Sequence, residues 1–127
     1  MPREIPTVGE TEIQIMRLIW EHQPCTERQI SDMVRQHRDI ARTTVLKTIQ
    51  RLEAKKLLVR VPGDGPVQFR AAIDENRFTS QLIRRFVKGV LGGSPEPLVA
   101  YLADSSGLSA KDLKVLESIA QRLKDKM

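Results

Sequence analysis

Residues 41–56 carry side chains whose types and spacing suit contact with a nucleic acid. Read as a helix of about 100° per residue, this stretch has one face made only of hydroxyls and long cations. The residues on that face are Thr43, Thr44, Lys47, Thr48 and Arg51. Such groups donate hydrogen bonds to phosphate oxygens and base edges, and the short hydroxyls permit close approach. We interpret the stretch as a DNA-recognition helix, against the alternative of a solvated basic face on a structural helix.

Positive charge is concentrated around this stretch. The formal net charge of the 127 residues is +5, whereas residues 35–60 hold eight Lys or Arg residues and two acidic residues, a balance of +6. The rest of the chain is therefore close to neutral. A local patch of this kind is the electrostatic footprint expected of a phosphate-binding surface. The opposite helix face predicts a core-facing stripe of Val45, Leu46, Ile49 and Leu52.

The chain offers little for catalysis or metal binding. The histidines His22 and His37 and the single cysteine Cys25 are not spaced as a metal site, and no phosphate-cradling glycine motif is present. We therefore expect no enzymatic activity, no metal and no cofactor. Cys25 could act as a redox sensor if the adjacent helix start lowers its pKa. The alternative is a partly buried structural cysteine.

Composition bounds the cellular setting. One cysteine cannot form an internal disulfide, which fits a reducing compartment. The sequence has no run of 18 apolar residues and no apolar leader at its start, so it predicts a cytoplasmic protein without membrane insertion. With 40% hydrophobic but only 4% aromatic residues, the chain favours helices packed through aliphatic side chains.

Two helices are predicted ahead of the recognition helix. A capping-box pattern at Thr7 and Glu10 predicts the start of the first helix, which ends near His22. A second capping box, Thr26 with Gln29, starts a short helix that ends near residue 36. Two short helices that lead into a basic amphipathic third helix have the order of a helix-turn-helix.

After the recognition helix, the period of the apolar residues changes from 3.6 to 2. Two alternating runs flank the turn-rich residues 62–66, and they predict a two-stranded hairpin, a wing. The side chains expected to face the helices are Val59, Val61, Val67, Phe69 and Ala71. Those expected to point outward are Arg60, Gln68 and Arg70. The fold class is therefore mainly α with a small β-hairpin, an N-terminal winged helix-turn-helix.

Residues 74–127 read as three further amphipathic helices. We predict a boundary between a winged-helix domain, 1–73, and a helical dimerisation region, 74–127, because three short helices would form a poor core alone. The predicted dimer contacts are Phe78, Leu82, Phe86, Val90, Leu98, Leu102, Leu113, Leu116, Ile119 and Leu123. The alternative is that these helices fold back on the winged helix of their own chain.

Several of these segments resemble the penicillinase-repressor family of bacterial regulators, the BlaI/MecI group. The resemblance is carried by EIQIM and LIW in residues 12–20, and by TTVLKTIQRLE with KKLL in residues 43–58. Weaker pieces are GGS at residues 92–94 and LVAYL at residues 98–102. The resemblance implies a homodimeric winged-helix repressor that binds an inverted-repeat operator.

In that family, DNA is released when the C-terminal module is cleaved after a membrane sensor or protease upstream responds to a β-lactam. The family is cut at an Asn-Phe bond. This chain has Tyr101 and Leu102 at the corresponding positions, a departure that weighs against β-lactam-triggered cleavage here. A related copper-responsive branch uses C-terminal cysteines, and this chain has none after Cys25.

The predicted partner is a double-stranded DNA operator. The residues expected to contact it are Arg42, Thr43, Thr44, Lys47, Thr48, Arg51, Lys55, Arg60, Gln68 and Arg70. The first three lie nearest the bases, Lys47 and Arg51 could reach guanine or phosphate, and Lys55 would neutralise the backbone. The rival hypothesis is a winged-helix module whose basic face binds an acidic protein.

Overall fold

The computed structural model describes residues 5–105, together with 109–111, 114, 115, 118, 121, 122 and 125. Its elements in chain order are α1 (Glu10–His22), β1 (Cys25–Thr26), α2 (Glu27–Arg35), α3 (Arg42–Ala54), β2 (Leu58–Val61), β3 (Gln68–Ala71), α4 (Glu75–Gly89) and α5 (Glu96–Ser105). The mainly α winged-helix class is confirmed. The chain forms two compact units, Met1–Phe78 and Thr79–Met127. This division falls five residues after the predicted boundary at residue 73, and the assignment of two domains stays a prediction.

The N-cap of α1 lies two residues after Thr7, the N-cap that the sequence predicts. Gly9 is the N-cap, and the backbone N–H of Gly9 donates to Oε1 of Glu12 over 3.2 Å. The carboxylate of Glu12 therefore satisfies a helix-terminal donor, whereas the predicted pair Thr7 and Glu10 was wrong. Glu12 is buried, and burial of a carboxylate is costly unless a partner compensates its charge.

Helix α2 begins as its sequence predicts. The N–H of Gln29 donates to Oγ1 of Thr26 over 3.2 Å, and the N–H of Thr26 donates to Oε1 of Gln29 over 2.8 Å. This reciprocal capping box is worth about 1 kcal/mol through its N-cap hydroxyl. Helix α3, in contrast, starts after Ala41 with no side-chain cap. The turn of residues 36–41 separates the two helices.

The core of the first unit lies between the three helices and the sheet. It is built from Ile15, Met16, Ile19, Ile30, Val34, Val45, Ile49, Leu52, Leu57, Leu58, Phe69 and Phe78. The predicted apolar stripe of α3 is confirmed at Val45, Ile49 and Leu52, which are buried, while Leu46 is half-buried. These apolar contacts supply most of the free energy that holds the helices together.

Phe78 is one correction to the predicted dimer surface. Its side chain is 1% exposed, and its ring meets the indole of Trp20 edge to face. The indole Nε1–H of Trp20 donates to the carbonyl of Ile73 over 3.0 Å. Phe78 therefore completes the core of its own winged helix, and its prediction as a dimer contact was wrong.

The sheet has three antiparallel strands in the order β1-β3-β2. The predicted hairpin of β2 and β3 is confirmed, but the sequence did not reveal β1. This strand has only two residues, so it carries no alternating pattern. Cys25 pairs with Phe69 and Thr26 pairs with Gln68. The third strand thus joins the hairpin to the start of α2.

The register of the hairpin corrects the predicted faces. Leu58 pairs with Ala71 and Arg60 pairs with Phe69, so these four side chains share one face of the sheet. Leu58, and not Val59, is therefore the buried residue of β2, and Val59 and Val61 lie half-buried on the other face. Val67 was also predicted to face the helices, but it precedes β3 and is 45% exposed.

The second unit contains the later part of α4 and all of α5. Helix α4 ends at Gly89, and the turn that follows contains Gly92 and Gly93 with φ of +64° and +88°, which glycine adopts without strain. Ile83, Phe86, Val90 and Tyr101 are exposed, whereas Leu82, Leu98 and Leu102 are half-buried. The predicted contacts Leu113, Leu116, Ile119 and Leu123 lie outside the described residues.

Candidate nucleic-acid interface

The exposed face of α3 lies opposite its buried stripe. Arg42, Thr43, Thr44, Lys47 and Arg51 are all exposed, as their spacing predicts. The helix has no acidic residue in its first turn. The resulting surface offers hydroxyls and cations to any partner, and it is not neutralised by acids at the helix start.

Gln50 also lies on this exposed face, and the sequence prediction omitted it. It follows Thr43 by seven residues, about two helical turns, so the two side chains lie along one line of the helix. A glutamine amide can both donate and accept, which allows a bidentate contact with adenine. Its position follows from the helical period alone, so the signal that identifies it was present in the sequence.

Thr48 was predicted on the exposed face, and this placement was wrong. Its side chain is fully buried, because position 48 lies three residues after Val45 and four before Leu52, on the edge of the core stripe. The Thr48 hydroxyl donates to the carbonyl of Thr44 over 2.8 Å. Its Oγ1 also accepts from Nη2 of Arg51 over 3.1 Å. Thr48 therefore orients Arg51 from beneath and does not contact a partner itself.

Lys55 also differs from its prediction as a backbone-neutralising cation. Its Nζ donates to Oε2 of Glu12 over 2.6 Å and to the carbonyl of Thr7 over 2.8 Å. The side chains of Lys55 and Glu12 are 27% and 9% exposed, so the ion pair is largely shielded from water. The positive charge of Lys55 is therefore paired with a buried carboxylate within the winged helix.

Arg60 of the wing is held by the recognition helix. Its Nε donates to Oε2 of Glu53 over 2.7 Å, and its guanidinium lies over the Phe69 ring at 5.7 Å from the centroid. The hydrogen bond to Glu53 and the charge of that carboxylate raise the pKa of Arg60. Arg60 was predicted to contact flanking phosphate, but in this arrangement it links β2 to α3.

The remaining predicted wing residues belong to β3. Arg70 is exposed, and its Nη1 donates to the carbonyl of Ala71 over 3.2 Å, a local contact that leaves the guanidinium at the surface. Gln68 is half-buried and pairs with Val61 across the hairpin. Of the two, Arg70 has the better access to an external anion.

Cys25 is a structural residue of the sheet. It is 2% exposed, and burial raises the pKa of its thiol, because the thiolate would lose its hydration. The alternative of a redox sensor with a lowered pKa is therefore contradicted. Within the described ranges, no three His, Cys, Asp or Glu side chains converge as they would around a metal ion. Over the same ranges, no helix is long and apolar enough to span a bilayer.

Helices α1 to α3, followed by the β2–β3 hairpin, define a winged helix-turn-helix. Residues 8–122 match the family model of the penicillinase repressor. The chain therefore belongs to the penicillinase repressor family of transcriptional regulators.

Known relatives agree with this assignment. The chain is 21% identical over 115 residues to the methicillin resistance regulatory protein MecI of Mammaliicoccus sciuri, which covers 91% of the chain and 94% of MecI. It is 32% identical over 62 residues to the transcriptional regulator BlaI of Mycobacterium tuberculosis, which covers 48% of the chain and 45% of BlaI.

A solved structure supports the fold of the first unit. The chain is similar to Bacillus licheniformis BlaI, determined in its monomeric form in complex with a half-operator, with a TM-score of 0.52 and 21% identity. The match covers 57% of this chain and 88% of that one. At this identity the likeness establishes the winged-helix fold.

Proposed function

We propose that this protein is a sequence-specific DNA-binding repressor that acts as a homodimer on an inverted-repeat operator. The observation that carries the proposal is the exposed face of α3, where Arg42, Thr43, Thr44 and Lys47 are presented by a winged helix. Membership of a family named for its repressors supports this use of the fold. The complex of BlaI with a half-operator supports DNA as the partner.

In this proposal α3 lies in the major groove. Arg42, Thr43 and Thr44 at its N-terminal end approach the base edges, since recognition helices contact bases mainly through that end. Lys47, Gln50 and Arg51 extend the contact along the groove, with Arg51 oriented by its hydrogen bond to Thr48. Arg70 contacts flanking phosphate from the wing, while Arg60 is paired with Glu53 and Lys55 with Glu12.

The proposed dimer forms through the second unit. Ile83 and Phe86 of α4, with Val90 directly after its last residue, are exposed at spacings of three and four, so they form an apolar stripe. Burial of this stripe against a second copy would remove it from water and place two recognition helices on adjacent half-sites about 34 Å apart. Two linked half-sites raise affinity by roughly 10²–10⁴-fold over one.

Derepression would follow from any signal that separates the dimer, including proteolysis of the second unit. Tyr101 is exposed on α5, and with Leu102 it marks the position where relatives of this family are cut. A membrane sensor or protease that acts upstream is the proposed source of the signal. Because the Asn-Phe pair is replaced by Tyr101 and Leu102, the cleaving specificity would differ from that of the β-lactam response.

A salt series of DNA binding tests the proposal. The protein is titrated against its own upstream promoter DNA and against a scrambled duplex of equal length. We expect preferential binding to the promoter, a protected two-fold repeat, and a loss of roughly 10³–10⁵ in affinity between about 50 and 200 mM salt. Equal binding to both duplexes would refute sequence specificity. Absence of binding to either at low salt would refute the DNA-binding function and favour an acidic protein partner.

A further inference from the structure

We propose that α3 is held at both ends by polar side chains of α1, and that Arg38 and Lys55 are positioning residues for DNA recognition. We call Thr11, Glu12 and Gln14 the α1 anchor. The inference rests on the proposed DNA-binding function, and it assigns roles to residues that do not themselves contact the DNA.

The C-terminal end of α3 is held through Glu12. Its Oε1 accepts from the backbone N–H of Gly9, and its Oε2 accepts from Nζ of Lys55, the residue that follows the last turn of α3. Lys55 also donates to the carbonyl of Thr7, just before α1. One buried carboxylate therefore caps α1 and fixes the end of α3 at the same time.

The N-terminal end is held through Arg38, which lies in the turn between α2 and α3. Its Nη1 donates to Oγ1 of Thr11 over 2.8 Å and to Oε1 of Gln14 over 3.3 Å. Arg38 is half-buried and precedes the first residue of α3 by four positions. The turn is thus tied to the same part of α1 that holds Lys55.

These contacts supply what the apolar core lacks. The stripe of Val45, Ile49 and Leu52 fixes which face of α3 is buried, but hydrophobic burial is not directional. A helix of 13 residues is about 20 Å long, so a small change in its tilt displaces its ends from their base edges. Charge-assisted hydrogen bonds near each end restrict that tilt.

The charges of this arrangement give it a distinctive signature. If only net charge mattered, removal of the negative charge of Glu12 from a DNA-binding unit would strengthen binding. If Glu12 positions α3 through Lys55, the same removal weakens binding to the operator. The two effects have opposite signs, so a single substitution distinguishes them.

The test compares Glu12→Gln with Glu10→Gln. Both remove one negative charge from the first turn of α1, but Glu10 is exposed and lies outside the anchor. We expect Glu12→Gln to weaken binding to the operator about tenfold, with non-specific binding at low salt and the salt slope unchanged. We expect Glu10→Gln to bind as tightly as the wild type or slightly more tightly. Operator binding by Glu12→Gln at wild-type strength would overturn the inference.

A second pair examines the cation. Lys55→Met removes the anchored charge, and Lys56→Met removes an exposed charge beside it. We expect Lys55→Met to weaken operator binding about tenfold without a change in the salt slope, and the double variant with Glu12→Gln to be no weaker than either single variant. If Lys55 instead contacted phosphate, non-specific binding would weaken too and the slope would fall by about one per protomer.

Folding and function are separated by two controls. Arg38→Lys keeps the charge but removes the guanidinium fork, and we expect it to lose operator affinity while circular dichroism and non-specific binding stay unchanged. If Glu12→Gln or Lys55→Met loses its helical circular-dichroism signal, Arg38→Lys takes its place in the comparison. If the wild type recognises no operator, the proposed function fails. If the wild type recognises an operator and the variants of Glu12, Lys55 and Arg38 bind it with the same affinity, only this inference fails.

Discussion

Trp20 and Phe78 meet edge to face, with ring centroids 5.1 Å apart and planes inclined by 64°. The contact joins the end of α1 to the first turn of α4, and the Trp20 indole also holds the carbonyl of Ile73. The start of α4 is therefore part of the winged-helix core. The core of the winged helix therefore extends past residue 73, where the sequence analysis placed the end of that domain.

Replacement of Phe78 tests this assignment. Phe78→Ala should lower the free energy of unfolding by about 3–5 kcal/mol, because it leaves a cavity beside Trp20. The measurement is denaturant unfolding at two protein concentrations. Because the contact lies within one chain, the loss should not depend on concentration. A loss that disappears at high protein concentration would place Phe78 in a dimer interface instead.

Replacement of Phe86 tests the proposed dimer. Phe86 is 43% exposed on the apolar stripe of α4, so Phe86→Glu would put a charge into the proposed interface. We expect the mass of the Phe86→Glu variant in analytical ultracentrifugation to fall from that of two chains to that of one. Lys88→Glu, at an exposed position off the stripe, is the control and should stay dimeric. A wild type that sediments as one chain at micromolar concentration would rule out the dimer.

Lys47 should report a direct phosphate or base contact. Its side chain is exposed at the middle of the α3 face. Among the described residues, Lys47 makes no side-chain hydrogen bond like those that hold Lys55 and Arg60. Lys47→Met should weaken binding, and if the contact is to phosphate it should lower the salt slope of a dimer by about 1.8. The measurement is the dependence of the association constant on salt. An unchanged slope together with relaxed base preference would assign Lys47 to a base edge.

Thr48 should act only through Arg51. Thr48→Val keeps the shape of the side chain but removes the hydroxyl that accepts from the guanidinium over 3.1 Å. We expect operator affinity to fall several-fold, because Arg51 must then be ordered on binding. Binding of the Arg51→Ala variant provides the reference. If Thr48→Val weakens binding as much in the Arg51→Ala background as alone, Thr48 does not act through Arg51.

Cys25 should be unreactive in the folded protein. Since burial raises the pKa of its thiol above the ordinary 9.0, alkylation near neutral pH should be much slower than in denaturant. The folded state then holds its proton more tightly than the unfolded state. The associated stability is complete below pH 9 and is lost as pH rises further. Cys25→Ala should lack this alkaline loss in unfolding measurements, and equal pH profiles would contradict the shift.

The sequence predicted the features that depend on near neighbours. The capping box of Thr26 and Gln29 and the apolar stripe of α3 each arise from residues a few positions apart. The order of three helices followed by a hairpin could be read in the same way. Each of these features has a periodic or local pattern that survives without knowledge of the fold.

The partners of the cations could not be predicted in this way. Lys55 and Glu12 are 43 positions apart in the chain, so no local spacing reveals that their charges meet. The strand β1 and the register of the hairpin likewise depend on tertiary pairing. As a result, the basic patch around α3 contains more positive charge in the sequence than its surface can offer to a partner.

The central position of β3 has a consequence for how this wing can vary between relatives. β1 and β2 fix the register of β3 from both sides, and one inserted residue within it would turn Phe69 out of the core. Residues 62–67 are exposed and lie outside these ladders. Insertions there leave the stem unchanged. The wing tip can therefore vary in length and chemistry without disturbing the stem that holds Phe69 in the core.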